Sequence, residues 1–323
     1  MESTAAASAL QLPAPVGVFL YNRPRHARRT LEALRNNRGA NRTPLYIFCD
    51  GPKPGAPQEV LHQVAAVRKL AEDFRWPGPK KEIYAAATNK GLARSIIDGT
   101  TKLCKAYGAA ILVEDDIVTS PGFLEYMNRA LALYADTPEV MHVSGFFYPI
   151  KTDDFPETFF YNITTCWGWA TWQRAWQHMN EDREALYRQV EVLPDRSAYD
   201  LNGAADFFRQ LEHNFTGKRI TWAVLWYTVL FFKGGLCLHP RHSLTNNIGN
   251  DGSGENSRTS KFFWHKQLAD SVEVAPIPLE EYLPARQRME AFYRKLARKA
   301  RPTFGKRLRA KLRLTYQQLR GKA

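Results

Sequence analysis

The sequence predicts an α/β fold in which parallel strands alternate with helices. Four short apolar segments are separated by stretches whose apolar residues recur at helical spacing. The connections between these segments are too long for hairpins, so the pattern is typical of parallel strands joined by crossover helices. The predicted strands are Val16–Leu20, Leu45–Cys49, 82–85 and 109–113, and the predicted helices between them are 25–35, 60–74 and Leu92–Tyr107.

The strands are predicted from their unbroken apolar character and from the signals that stop them. Val16–Leu20 contains five apolar residues in succession, which is typical of a strand buried on both faces. Leu45–Cys49 has the same character and is followed by the Asp-Gly-Pro turn signal at 50–52. Segment 109–113 leads directly into three carboxylates, Glu114, Asp115 and Asp116.

The helices are predicted from the spacing of their apolar residues. In segment 60–74 these residues lie three or four positions apart and therefore fall on one face. Further along, we predict a helix over 123–134 and a short strand at Val140–Ser144. Segment 222–232 is apolar enough to be either a strand or a buried helix, and 246–257 is a polar, glycine-rich loop.

The predicted strand ends bring polar residues to one edge of the sheet. Asn22 and Arg23 follow the first strand, Asp50 follows the second, and 114–116 follows the fourth. In open parallel sheets, ligands bind beyond the carboxyl ends of the strands. We therefore predict that these side chains converge on a ligand site.

Composition indicates a globular protein with a large core. Hydrophobic residues make up 44% of the chain, and its four cysteines show no metal-binding or redox spacing, so we expect reduced thiols.

The segment 1–14 shows no signal-peptide pattern and is expected to be disordered. The longest apolar stretch, 220–232, is shorter than the about 20 residues that span a bilayer. We therefore expect a cytoplasmic protein.

The net charge of +13 is concentrated at the end of the chain. Residues 285–323 contain 14 Lys or Arg and one acidic residue, which leaves 31 basic and 31 acidic residues in 1–284. In this segment one helical face is apolar and basic residues surround it, an arrangement typical of helices that lie on an anionic membrane. The alternatives are a solvated tail or incidental affinity for nucleic acid. The apolar face is formed by Leu308, Leu312, Tyr316 and Leu319.

Three adjacent carboxylates after an apolar strand repel one another unless a positive charge compensates them. Mg²⁺ and Mn²⁺ prefer carboxylate oxygens and often take one or two from protein, with phosphate and water in the remaining positions. The run at 114–116 therefore predicts a divalent metal that holds a diphosphate. The alternative is an acidic helix start or a solvated turn.

Two further segments are candidates for nucleotide contact. The Asp50 carboxylate could accept a hydrogen bond from a ribose or a base, although Asp-Gly is also a common turn. The segment Asn89 to Arg94 opens a helix, and helix starts bind phosphate. A plain loop is the alternative for this segment.

The tryptophans at 167–172 are a candidate sugar pocket, because flat aromatic rings stack on sugar faces. The alternative is a core cluster, since large aromatic rings bury much area.

Six segments of the chain resemble, in order and spacing, bacterial family-2-like glycosyltransferases of the GT-A fold from polysaccharide and lipopolysaccharide biosynthesis. A more distant similarity is to N-acetylglucosaminyltransferase I. The resemblance implies a Rossmann-like nucleotide-binding sheet with flanking helices over 15–255, followed by a peripheral segment, 256–284, and the basic helical tail, 285–323. The segments are VFLYNRP (18–24), YIFCDGP (46–52), NKGLARSIIDG (89–99), ILVEDDIVTSPGF (111–123), 160–172 with its CWGWATW, and NIGNDGSG (247–254).

The resemblance also implies roles for individual residues. Asp116 would be the metal ligand, with Glu114 and Asp115 completing the signature. The remaining nucleotide-sugar contacts would be Asn22, Arg23, Asp50, Asn89 and Arg94, and the sugar or acceptor pocket would contain Trp167, Gly168 and Trp169.

The catalytic base is less well defined than the donor site. Asp206, Glu212 and Asp251 are candidates, and Asp206 is favoured. The acidic residue that bacterial relatives often place just before a tryptophan is missing before Trp222.

These features predict a metal-dependent transferase that moves a sugar from a nucleotide-sugar, with UDP-sugar favoured, to a glycan or lipid-linked acceptor in bacterial surface polysaccharide synthesis. Two alternatives remain. A sugar nucleotidyltransferase would need a glycine-rich phosphate loop at the first strand, where Gly17 is the only glycine. A nucleic-acid-binding protein would explain the tail but not the neutral body, so no nucleic-acid partner is expected.

Overall fold

The fold is built around a mixed sheet of eight strands. The computed structural model describes residues 10–252 and 262–300. Strands β1 to β4 are parallel to one another, whereas β8 runs antiparallel between β4 and β6. In sheet order the strands are β3 (Lys81–Ala85), β2 (Leu45–Cys49), β1 (Val16–Leu20), β4 (Ala109–Glu114), β8 (Trp169–Trp172), β6 (Val140–Ser144), β9 (Leu236–Pro240) and β7 (Thr158–Phe160).

A second sheet within the described residues consists of two short antiparallel strands, β5 (Ile117–Thr119) and β10 (Thr245–Asn247). Because β5 follows β4 after two residues, this ribbon brings the loop after β10 to the end of β4.

Helices cover both faces of the large sheet. The segment 222–232, for which the sequence left strand and helix open, forms a helix with seven buried residues. The helices are α1 (Pro24–Arg35), α2 (Gln58–Asp73), α3 (Leu92–Tyr107), α4 (Phe123–Leu133), α5 (Gln173–Trp176), α6 (Arg183–Glu191), α7 (Phe207–Phe215), α8 (Ala223–Lys233) and α9 (Leu283–Ala300).

The core has two layers, one on each face of the sheet. In β1, Val16, Val18 and Leu20 pack into one layer and Phe19 into the other, as the two-residue period of a strand requires. Burial on both faces explains why this strand is apolar throughout. The predicted α/β fold is confirmed, and the flanked sheet is consistent with a GT-A-like, Rossmann-like fold.

The start of the basic C-terminal segment packs on the second core layer. Ala285 and Met289 on α9 are fully buried, and Phe292 and Tyr293 are partly buried against the same layer. None of the helices formed by residues 10–252 and 262–300 has the length and the hydrophobicity that a bilayer-spanning helix needs. The predicted apolar face at 308–319 lies outside the described residues, as do residues 1–9.

A buried histidine fixes a polar network in the second layer. Trp226 Nε1 lies 3.2 Å from His142 Nδ1, and an indole nitrogen can only donate, so Nδ1 accepts. The proton of the neutral ring is therefore on Nε2, which lies 3.2 Å from the carbonyl oxygen of Thr165. Burial, together with the neighbouring His239, lowers the pKa of His142 to about 3.

This network predicts a loss of stability in mild acid. Below the unfolded histidine pKa of about 6.5, the unfolded chain takes up a proton that folded His142 rejects. The free energy of unfolding should therefore fall by about 1.4 kcal/mol per pH unit from this residue alone, until the pH approaches the folded value. Urea unfolding at pH 7 and pH 5 measures the slope.

The exposed His62, which contacts Gln58, provides the control for this measurement. His62→Gln should keep the wild-type slope, and His142→Gln, although less stable overall, should flatten it. Equal slopes in both variants would contradict the assignment.

Candidate active site

The carboxylate run lies where β4 leaves the large sheet. Glu114 is the last residue of β4, and Asp115 and Asp116 form the turn into β5. Both aspartates are buried, with 6% and 8% of their surfaces exposed. The main-chain oxygen of Asp116 accepts a hydrogen bond of 2.8 Å from the Ile248 N–H, which fixes the loop after β10 against the turn.

Arg23, just beyond β1, bridges the two aspartates. Its Nε lies 3.2 Å from Asp115 Oδ2, its Nη2 also donates to Asp115 Oδ1, and the same Nη2 lies 2.8 Å from Asp116 Oδ2. Burial alone would lower the pKa of Arg23, but the charges of Asp115 and Asp116 raise it well above its usual value. The guanidinium therefore supplies the positive charge that the carboxylate run requires.

One nitrogen of this guanidinium remains available. Nη1 of Arg23 is buried and has no hydrogen-bond partner in the part of the chain that the structure describes. A buried donor without a partner costs free energy, of the order of 1–3 kcal/mol. An oxygen of a bound anion would satisfy it.

Glu114 differs from its two neighbours. Burial, reinforced by the charges of Asp116 and Asp115, raises its pKa to about 8. The charge of Arg23 and a side-chain hydrogen bond with Trp222 only partly offset this effect. Burial likewise raises the pKa of Asp115 to about 6, although Arg23 acts in the opposite direction. At neutral pH Glu114 is therefore mostly protonated, whereas Asp115, which contacts Arg23, is mostly ionised.

The loop after β10 lies directly on the carboxylates. A Cβ atom added to Gly249 would lie 2.0 Å from Asp116 Oδ2 and 3.0 Å from Arg23 Nη1, so only glycine fits. Two residues later, Asp251 Oδ2 lies 3.1 Å from His26 Nε2. The loop thus brings a second acidic side chain to α1, three residues beyond Arg23.

Asp50 holds a neighbouring loop. Its Oδ1 accepts hydrogen bonds of 2.8 Å from the N–H groups of Gly51 and Lys90. Its Oδ2 accepts from Asn89 Nδ2 at 2.9 Å and from the Gly91 N–H at 3.0 Å. A carboxylate has about four positions that accept hydrogen bonds, and these four bonds occupy all of them. The geometry assigns Asp50 and Asn89 to loop positioning, and nucleotide contact by either stays a prediction.

Three other candidates have no described contact with the carboxylates. Arg94 forms ion pairs with Asp98 at 2.8 Å and Glu181 at 3.2 Å. Asp206, the favoured base, is exposed at the start of α7 and lies 3.6 Å from Arg209. Asn22 precedes Arg23 and is half-buried. The catalytic role of Asp206 therefore gains no support from this geometry.

Of the two tryptophans predicted to form the sugar pocket, Trp169 lies in the core and Trp167 is only partly buried. Trp169 is 1% exposed and stacks on His142 and Trp222, at centroid distances of 5.2 Å and 5.0 Å. It therefore supports Trp222, the partner of Glu114, and has almost no surface for a sugar. Trp167 is half-buried, with its ring 4.6 Å from that of Phe146.

Gly168, between these tryptophans, requires glycine. Its φ of +79° is unfavourable for other residues, and an added Cβ would lie 2.9 Å from Thr245 Cγ2. The close approach connects β8 to β10, and through β10 to the loop that covers Asp116.

Sequence reasoning missed three residues of this site: His26, Trp222 as the partner of Glu114, and Gly249 as the residue packed on Asp116. Gly249 lies in the segment 247–254, whose glycine content was its only signal. His26 and Trp222 have no local signal, because their partners are distant in the chain.

The site contains oxygen ligands that suit a divalent cation but no complete cage. Within residues 10–252 and 262–300, no group of three or more His, Cys, Asp or Glu side chains has the geometry of a metal site. Of the two side-chain oxygens of Asp116, Oδ2 bonds Arg23, whereas Oδ1 has no partner among the described residues. One carboxylate plus phosphate and water suffices for Mg²⁺.

Comparison with known proteins gives little independent information. No protein-family model and no curated protein matches the chain. Among solved structures, the crystal structure of S. aureus TarS matches with 13% sequence identity over 40% of this chain and 21% of that chain, at a TM-score of 0.27. This likeness is too low to support an argument about fold or function.

Proposed function

We propose that the protein transfers a sugar from a nucleotide-sugar donor to an acceptor hydroxyl. The supporting observation is the buried Asp115–Asp116 pair at the carboxyl end of β4, beside an arginine with an unsatisfied buried donor. This edge of a parallel sheet is where ligands bind in such folds. Carboxylates and a guanidinium in contact suit a ligand that brings a diphosphate together with a divalent cation.

Arg23 is proposed to bind the donor through Nη1 while its other nitrogens hold the two aspartates in place. Charge developing on the leaving diphosphate would be stabilised by this fixed positive group. Asp116 would hold Mn²⁺ or Mg²⁺ through its available oxygen, and the metal would neutralise the diphosphate. Gly249 would keep the covering loop close enough to exclude water from these groups.

For the base, the geometry supports Asp251 over Asp206. Asp251 lies on the loop that covers Asp116 and contacts His26, whereas Asp206 is exposed beside Arg209. The proposed base accepts the proton of the acceptor hydroxyl as that oxygen attacks the anomeric carbon and the diphosphate leaves. UDP-sugar remains the favoured donor, and a glycan or lipid-linked hydroxyl compound the favoured acceptor.

Thermal unfolding with a panel of UDP-, GDP-, CMP- and dTDP-sugars tests the proposal. A ligand at about 100 times its Kd stabilises the folded state by about 2.7 kcal/mol. We expect a rise of several degrees in the melting temperature with one nucleotide family, larger with Mn²⁺ than with EDTA. Free sugars are the control. No shift with any nucleotide-sugar in the presence of Mn²⁺ would contradict the proposed donor site.

A further inference from the structure

A groove between α9 and two neighbouring segments combines apolar walls with positive charge. Its volume is about 610 Å³, and it is lined by residues 149–151, by residues 262 and 264, and by one face of α9. The walls include the aliphatic side chains of Ile150 and Leu296. At its rim, Phe262 and Trp264 are 44% and 45% exposed. Large aromatic residues exposed together mark an interaction surface.

The charge of this groove is positive. Lys151, Lys295, Lys299 and Arg288 line it, and none of its lining residues is acidic. Arg288 is neutralised by Asp154, with Nη1 2.7 Å from Oδ1. The positive charge of Lys151 also interacts favourably with the Asp154 carboxylate. Within residues 10–252 and 262–300, no ion pair connects Lys295 or Lys299 to a carboxylate; Lys299 Nζ instead lies 4.8 Å from the ring of Phe262.

We propose that this groove binds the surface of an anionic phospholipid bilayer. Lysines would pair with lipid phosphates while Trp264 and Phe262 enter the boundary between headgroups and acyl chains, the position that tryptophan prefers in membranes. The inference is independent of the proposed function, since it needs neither a donor site nor a reaction.

Other possible occupants of the groove are the segment after α9, a second copy of the protein and a single-stranded nucleic acid, and the positive charge of the groove disfavours the first two. Residues 301–323, which follow α9, contain eight Lys or Arg and no acidic residue, so they are repelled by the groove and attracted to the same anionic surface. A second copy of the groove would be repelled in the same way. A single-stranded nucleic acid could stack on the aromatic rings, but it would leave the aliphatic walls uncovered.

The groove is also connected to the candidate active site. The ring of Phe292, in its wall, lies 6.1 Å from that of Phe263, and Phe263 lies 5.5 Å from Trp167. A bilayer bound here would therefore lie on the Trp167 side of the protein.

Co-sedimentation of the full-length chain with vesicles tests the proposal. We expect binding to vesicles of phosphatidylcholine mixed with phosphatidylglycerol, weakened by salt, and little binding to phosphatidylcholine alone. Lys295→Ala combined with Lys299→Ala should weaken binding about 25-fold, the fold-change for about 1 kcal/mol per lysine. Trp264→Ala should weaken binding about tenfold through lost apolar contact.

Two matched variants control for nonspecific effects. Lys69→Ala removes an exposed lysine on α2, and Phe232→Ala removes a half-exposed ring at the end of α8; both should bind like the wild type. Arg307→Gln combined with Lys311→Gln measures the contribution of the segment after α9 in the full chain.

Two results would overturn the proposal. In the first, the Lys295/Lys299 and Trp264 variants bind vesicles like the wild type and only the Arg307/Lys311 variant loses binding. In the second, a single-stranded oligonucleotide binds more tightly than the vesicles, and the groove variants lose that binding instead. The nucleotide-sugar melting shift is unaffected by these variants, so either proposal can fail alone.

Discussion

Asp116→Asn is expected to lower kcat/KM for metal-dependent donor cleavage by about a thousandfold, equivalent to about 4 kcal/mol of transition-state stabilisation. The amide keeps the shape of the side chain, and its oxygen can still accept a hydrogen bond from Arg23. The Ile248 N–H bonds the main-chain oxygen of residue 116, so the covering loop should stay in place. What the variant loses is the negative charge that would hold the cation.

The measurement is release of the nucleotide leaving group, a nucleoside diphosphate for UDP-, GDP- and dTDP-sugars, from the donor that the melting panel identifies, with Mn²⁺ varied. The matched control is Asp73→Asn, which neutralises an exposed carboxylate paired with Lys69 on α2 and should retain wild-type kinetics. Retention of full Mn²⁺-dependent activity by Asp116→Asn would remove Asp116 from the proposed metal site.

The parallel half of the fold could be predicted because its strands are buried on both faces. Val16–Leu20 and Leu45–Cys49 were predicted with the bounds that the structure shows, since each is an unbroken apolar run. β5 and β10 could not be predicted, because three residues are too few to show a period. The position of β8 between β4 and β6 depends on tertiary packing, and the local sequence of Trp169–Trp172 does not specify it.

The sequence could predict which residues of the candidate site lie near one another, but not which side chains are in contact. The rule that carboxyl ends of parallel strands share an edge is enough to bring Arg23 near the run at 114–116. That Arg23 bridges the two aspartates, 92 and 93 residues later, depends on side-chain geometry that no local pattern specifies. The same holds for His26 and Asp251, which are 225 residues apart.

The Arg23 bridge leads to a second large effect, this time on stability. Arg23→Met keeps an unbranched apolar stem but removes the guanidinium, and so leaves Asp115 and Asp116 without their positive partner. Removing one member of a buried ion pair typically costs about 3–5 kcal/mol, because the remaining charge stays buried and uncompensated. We expect the variant to lose about this much unfolding free energy at pH 8, measured by urea denaturation.

The pH dependence of this loss identifies its cause. Below about pH 6, the raised pKa of Asp115 in the folded protein, protonation removes one of the charges that Arg23 compensates. The difference between wild type and variant should therefore shrink as the pH falls from 8 to 5. Arg28→Met is the matched control, since Arg28 is exposed on α1 and lies 3.9 Å from Glu32. An exposed pair of this kind contributes only about 0–1 kcal/mol.

A divalent cation should restore part of what Arg23→Met loses. If Asp116 binds Mn²⁺, the cation can take over the compensation of the carboxylates, and Mn²⁺ alone should raise the melting temperature of the variant more than that of the wild type. Equal shifts in both proteins would show that the cation does not bind these aspartates. A variant as stable as the wild type at pH 8, within about 0.5 kcal/mol, would show that the bridge does not exist in solution.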